Sequence, residues 1–206
     1  MSSHHIVREA QEPALVWATR RPFSDLVGQL LEWSPVVLVP EIFLAQAVPC
    51  CKVDVAVGTE EPRVEEWLRH QHPYHFARAQ SDALPDALTA SLDWLLREGH
   101  TAANLLLDGP PADWASFLAP YTALLTLVAY TDAWRWQWLP QGRYEKWLPA
   151  GQVLSWEKAP QRAEGIQEMG SEGRCDTPGF ARLAFDGPCW LGERLPSQDA
   201  SVPANT

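Results

Sequence analysis

Over roughly the first 125 residues, apolar runs and helix-periodic stretches alternate along the chain. Ala14-Leu-Val-Trp-Ala18 is a continuous apolar run closed by Thr19, Arg20 and Arg21, which reads as a buried strand. Pro22 and Ser24 then open a helix in which Leu26, Val27, Leu30, Leu31 and Trp33 fall on one side. Pro35 to Val39 is a second strand stopped by Pro40, followed by a short helical segment from Glu41 to Val48. Val53 to Val57 is a third strand ending at Gly58. Pro62 sits in a first helical turn, with Val64, Trp67 and Leu68 as the apolar stripe. His75 to Arg78 reads as a short strand. Leu84, Leu88, Leu92, Leu95 and Leu96 then mark one face of an amphipathic helix ended by Gly99. Asn104 to Leu107 is another strand, and Pro110 and Pro111 precede a helix carrying Trp114, Phe117 and Leu118.

Strands that are apolar throughout are covered on both faces, and the helices between them give right-handed crossovers. This part predicts an open, mostly parallel α/β sheet. The period changes after Leu124. Leu125 to Tyr130 is a strand, and Ala133 to Leu139 alternates, with Trp134, Trp136 and Trp138 on one face and Arg135 and Gln137 on the other. Tyr144 to Leu148, Val153 to Trp156, Phe180 to Phe185 and Cys189 to Leu191 are further short strands. They predict a small antiparallel unit. Residues 157–178 read as a polar loop, and 193–206 as a disordered tail with too few apolar residues for a core.

Composition narrows the function. Of 206 residues, 26 are Asp or Glu against 16 Lys or Arg, a net charge of -10. That argues against a duplex nucleic-acid binder and a polybasic membrane-surface protein. No apolar run approaches the roughly 20 residues of a spanning helix, and Met1 to Gln11 is too polar for a signal peptide. Cys50, Cys51, Cys175 and Cys189 form no metal or redox spacing and read as reduced thiols of a cytoplasmic protein. There is no G-x-x-x-x-G-K-[ST], G-x-G-x-x-G or G-x-S-x-G. His70, His72 and His75 straddle Pro73, so one helix face cannot present all three, and they read as surface histidines.

Ligands of open α/β sheets sit beyond the carboxyl ends of the strands. There Glu41, Glu60, Glu61, Asp82, Asp86, Asp108 and Asp113 recur. Such carboxylates either share a hard cation, magnesium being the usual one, or cap helix N-termini. The eleven tryptophans divide similarly. Trp17, Trp33, Trp67 and Trp94 read as core. Trp134, Trp136 and Trp138, opposed to Trp147 and Trp156, are expected to fill a β core, or else to form a dimer interface or an aromatic ligand platform.

The segments Pro35-Val-Val-Leu-Val39, Cys51-Lys-Val-Asp-Val-Ala-Val-Gly58, Leu92-Asp-Trp-Leu-Leu-Arg-Glu-Gly99, Asp108 to Trp114 and Tyr144-Glu-Lys-Trp-Leu-Pro-Ala-Gly151, in this order, resemble the thiamine pyrophosphokinase family. The resemblance implies a Rossmann-like α/β domain over 13–130 and a small C-terminal β-sandwich over 131–192, with the tail beyond. It implies a homodimer, and pyrophosphate transfer from ATP to thiamine with magnesium. Carried over, Asp82 and Asp113 are the catalytic positions, Glu61, Asp82 and Asp113 the magnesium ligands, and Arg20, Arg21 and Gly58 the nucleotide-binding positions. Other motif positions are changed. Pro40-Glu41-Ile42 stands for D-G-G, Pro85 and Ala87 replace the Lys and the last Asp of D-x-x-K-T-D, and Pro110-Pro111-Ala112-Asp113-Trp114 stands for G-R-x-D-H. Phosphoryl-type transfer relies on positioning and on neutralising developing charge. The expected function is therefore a thiamine pyrophosphokinase-like protein with lost or reduced catalysis, acting as a binding or dimeric scaffold protein. The alternatives are an active enzyme, with Arg20, Arg21 or Arg63 compensating, and a binder of another small aromatic molecule.

Overall fold

The computed structural model describes residues 12–22 and 24–196. The polar start at Met1 to Gln11 and the tail from 197 onward lie outside them. The chain divides between Val128 and Ala129 into two compact units.

The first unit holds β1 (Ala14–Ala18), α1 (Asp25–Trp33), β2 (Val37–Pro40), α2 (Leu44–Ala47), β3 (Val55–Gly58), α3 (Glu61–Leu68), β4 (His75–Arg78), α4 (Leu84–Arg97), β5 (Ala102–Leu107), α5 (Pro111–Leu118) and most of β6 (Thr126–Tyr130). Its strand order is β6-β5-β1-β2-β3-β4. The pairs β5–β1, β1–β2, β2–β3 and β3–β4 are all parallel. β1 is buried along its whole length, as a strand with both faces covered must be. Strand order reverses between β1 and β5: the chain builds outward from β1 to β4, then returns through α4 to the other side of β1.

The Leu stripe lands as its spacing predicts. Leu88, Leu92 and Leu95 are fully buried, and α4 packs on β1, β2, β3 and β4. Each such leucine contributes about 1.5–3 kcal/mol. Gly99, at φ +81°, ends the helix in a Schellman motif: its N–H donates to Leu96 O (3.1 Å) and that of His100 to Leu95 O (2.9 Å). This turn drives His100 inward, where its ring stacks on Trp94 at 6.1 Å. The Nδ1 atom is buried without a hydrogen-bond partner, and burial pushes the imidazole pKa below its ordinary value.

Among its described residues the second unit holds only strands as regular elements: β7 (Trp134–Leu139), β8 (Arg143–Leu148), β9 (Val153–Trp156), β10 (Arg162–Glu164), β11 (Gln167–Met169), β12 (Glu172–Arg174), β13 (Gly179–Ala184) and β14 (Cys189–Arg194). β11-β12-β9-β14-β7 form one antiparallel array and β10-β13-β8 another. Leu139, Leu154, Trp156 and Leu191 from the first share one apolar cluster with Tyr144, Leu148, Ala181 and Leu183 from the second.

Several expectations are corrected. Residues 157–178 carry three short strands rather than one loop, and Glu193 and Arg194 complete β14 instead of starting a tail. Trp33 is 71% and Trp67 48% exposed. Trp33 lies six residues beyond buried Val27, about 120° round the helix at 3.6 residues per turn, so it turns away from the sheet. Trp134, Trp136 and Trp138 do not oppose Trp147 and Trp156. Trp156 is on the clustered face, as its pairing with Leu191 requires. Trp147 is exposed on β8. The three β7 tryptophans occupy the opposite face of their sheet, where Trp136 is buried on the backbone of Gly192 and donates to Thr131 Oγ1 (3.2 Å).

Candidate functional site

Two clusters form at the carboxyl ends of the parallel strands in the first unit. The first sits where strand order reverses, the usual ligand crevice of such sheets. Thr19 and Arg21 follow β1, and Asp108 follows β5. The Thr19 hydroxyl donates to Asp108 Oδ1, and the Arg20 N–H donates to Asp108 Oδ2 (3.2 Å). Arg21 Nε reaches Thr19 Oγ1 (3.0 Å) and Asp108 Oδ1 (3.3 Å), and its guanidinium also donates to Leu107 O. Both strand ends are thereby tied together by side chains. Arg20 contributes its backbone, while its side chain is exposed.

The second cluster spans the ends of β2, β3 and β4. Glu41 opens the 3-10 turn after β2, and Gly58 ends β3. An added Cβ on Gly58 would stand 2.9 Å from Glu41 Oε2, so the missing side chain is what lets the carboxylate lie on the strand end. Arg63, in the first turn of α3, then reaches across. Its guanidinium is 2.7 Å from Glu41 Oε1 and 3.1 Å from Asp82 Oδ2, and it donates to Thr59 Oγ1 at 3.3 Å. Thr59 Oγ1 donates in turn to Asp82 Oδ1 (3.1 Å). Glu41 is largely buried, and its Oε2 has no hydrogen-bond partner. Burial pushes its carboxyl above the ordinary pKa, while Arg63 opposes that shift. The space lined by Glu41, Gly58, Ser81 and Asp82 has no room for a water molecule.

The positions carried over by resemblance do not converge. Asp82 is held by Arg63 and Thr59. Glu61 is exposed as the first residue of α3. Asp113 is in the first turn of α5, its carboxylate packed against the Gly109 turn. α5 follows β5 and Asp82 follows β4; four strand spacings separate the two strands, about 19 Å at 4.8 Å each. Among the described residues, no group of three His, Cys, Asp or Glu side chains is placed to hold a metal. The magnesium ion that the resemblance implies therefore does not fit these side chains, and Arg63 supplies positive charge between Glu41 and Asp82 instead. Gly58 accommodates Glu41 rather than leaving open backbone.

Arg63 was legible as a cation able to compensate for the changed motif positions but not as the partner of Glu41 and Asp82, and Thr19 and Thr59 gave no signal beyond following a strand. Cys50, Cys51, Cys175 and Cys189 are free thiols. Burial pushes Cys51 and Cys189 up to about 11, which leaves them protonated and weakly nucleophilic at neutral pH.

Solved structures share this architecture. The thiamine pyrophosphokinase from Bacillus subtilis matches 90% of this chain and 100% of its own, at a TM-score of 0.59 and 14% identity. The thiamin pyrophosphokinase from Candida albicans covers 91% of this chain and 90% of its own, at 0.57 and 10%. The yeast thiamin pyrophosphokinase covers 89% and 86%, at 0.58 and 8%. At such identities the likeness is one of fold. No family model matches the chain, and no curated protein matches it.

Proposed function

We propose that this chain, which has the fold of the thiamine pyrophosphokinases, has lost or much reduced pyrophosphate transfer and serves as a binding or scaffold protein. Fold alone does not give function, so the reading rests on the site. Its carrying observation is Arg63, bonded to Glu41, Asp82 and Thr59 in a space that admits no water. Transfer from ATP needs cations at the phosphates and room for them. Here the protein's own guanidinium is shared between the carboxylates at β2 and β4, and the Thr19–Arg21–Asp108 network ties β1 to β5.

In this reading Asp82 anchors Arg63, and Asp113 favours the α5 N-terminus, where the helix dipole suits a carboxylate. Arg20 and Gly58 keep no nucleotide role. Thiamine, for which the structural neighbours are named, is the first ligand to try, and a second copy of the chain the first partner.

The test is incubation of the full chain with ATP, magnesium and thiamine, following AMP and thiamine diphosphate by chromatography. The expected result is no product above the protein-free control. Turnover on the order of 1 s⁻¹ or faster, ordinary for enzymes, overturns the reading in favour of an active enzyme.

A further inference from the structure

The outward face of the β10-β13-β8 sheet carries the opposite arrangement to the Arg63 cluster. Strand register puts Arg162, Ala184 and Arg143 in one row, Glu164, Arg182 and Glu145 in the next, and Phe180 beside Trp147 in a third. Ala184 is the short residue between two arginines, and the surface dips there into a concavity of about 480 Å³. That is within the range of small-molecule sites. Three arginines against two glutamates line it, a locally positive spot on a chain of net charge -10.

In the middle row the arginine is claimed by both glutamates. Arg182 is 3.2 Å from Glu145 and 3.6 Å from Glu164, and its guanidinium lies 5.8 Å from the Phe180 ring centre. Arg162 pairs with Glu164. Arg143 has no carboxylate partner among the described residues, so its charge is available. Trp147 and Phe180 are adjacent, and more than half of each is exposed. Paired exposed aromatics are costly in water and suit a stacked ring. Arg143 and Trp147 lie four residues apart on one strand face, about 13 Å at 3.3 Å per residue. A nucleoside diphosphate reaches from one to the other; a bare phosphate does not.

We propose that this sheet face is a nucleotide site, with the phosphates between Arg143 and Arg162 over Ala184 and the base on Trp147 and Phe180. Guanidinium–phosphate pairs are charge-assisted and bidentate, which orients the ligand, and the base adds stacking. The acidic chain as a whole disfavours a long nucleic acid, so the class is a mononucleotide. The site requires no metal and stands apart from the fate of pyrophosphate transfer.

The experiment is calorimetric titration of ADP into the full chain with EDTA present, which silences any magnesium-dependent binding elsewhere. One ADP is expected to bind per chain. Pyrophosphate and adenosine, each with half the contacts, are expected to bind at least about 10-fold more weakly, as is ADP at high salt. Arg143→Ala with Arg162→Ala is expected to weaken ADP about 10-fold or more, and Trp147→Ala about 5-fold or more. All three side chains are exposed, so unchanged circular dichroism and Tm separate lost binding from lost fold. No binding at millimolar ADP overturns the proposal, and so does binding that these substitutions leave unchanged.

Discussion

Two charged surfaces of this protein use the same residue types to opposite effect. At the ends of β2, β3 and β4, the one guanidinium is claimed internally: Arg63 meets Glu41 and Asp82, and the space they line has no room for a water molecule. On the β10-β13-β8 face, Arg143 has no carboxylate partner among the described residues, and a dip of about 480 Å³ lies beside it. The difference comes from where the small residue sits. Gly58 lets Glu41 fold down onto the strand, which closes the gap. Ala184, flanked by long side chains that point outward, opens one. The first surface belongs to the fold's own stability, and the second is free to meet something else.

That contrast can be broken in order of effect. The largest change is expected beneath the closed edge. Leu92→Ala empties a fully buried position on α4 and should cost about 2–5 kcal/mol, read as a shifted urea midpoint with unchanged slope. Next, Arg63→Glu places like charge between Glu41 and Asp82. A Tm lowered by several degrees is expected by differential scanning calorimetry, and an unchanged Tm would show that the edge is not held by this ion cluster.

A smaller loss is expected at the other cluster. Asp108→Ala strips Thr19, Arg20 N–H and Arg21 of their acceptor, for about 1 kcal/mol, since the carboxylate is half exposed and screened. His100 adds a pH dependence. Its pKa in the fold lies below the ordinary 6.5, so the fold prefers the neutral ring. The stability this gives is present above about pH 6.5 and is lost as pH falls toward the folded pKa. Tm should therefore decline from pH 7 to 5, and His100→Gln should flatten the decline. The smallest change belongs to the open face. Arg143→Ala and Trp147→Ala should each leave stability within about 0.5 kcal/mol, as exposed positions do.

The sheet of the first unit was legible because β1, β2 and β3 are short buried apolar runs and α4 keeps a leucine stripe. Local pattern is enough where one element meets the core along its whole length. It failed at 157–178, where β10, β11 and β12 are three residues each, every one carrying a Glu, and too short to show a period. That loss hid Arg162, and with it the open face. Trp33 and Trp147 show a second limit: an aromatic residue marks apolar surface without saying whether anything covers it. The candidate site was half legible. The turns after the strands were the right places to look, yet which carboxylate an arginine would claim depends on β2, β3 and β4 lying side by side, and no local pattern carries that.

The central claim is that Arg63 occupies the position a divalent cation would need between Glu41 and Asp82. Electron paramagnetic resonance of Mn²⁺ titrated into the full chain without nucleotide tests it directly. The account predicts that the free Mn²⁺ signal persists, with no stoichiometric uptake at millimolar protein. One Mn²⁺ bound per chain, and released by Asp82→Asn, would contradict it.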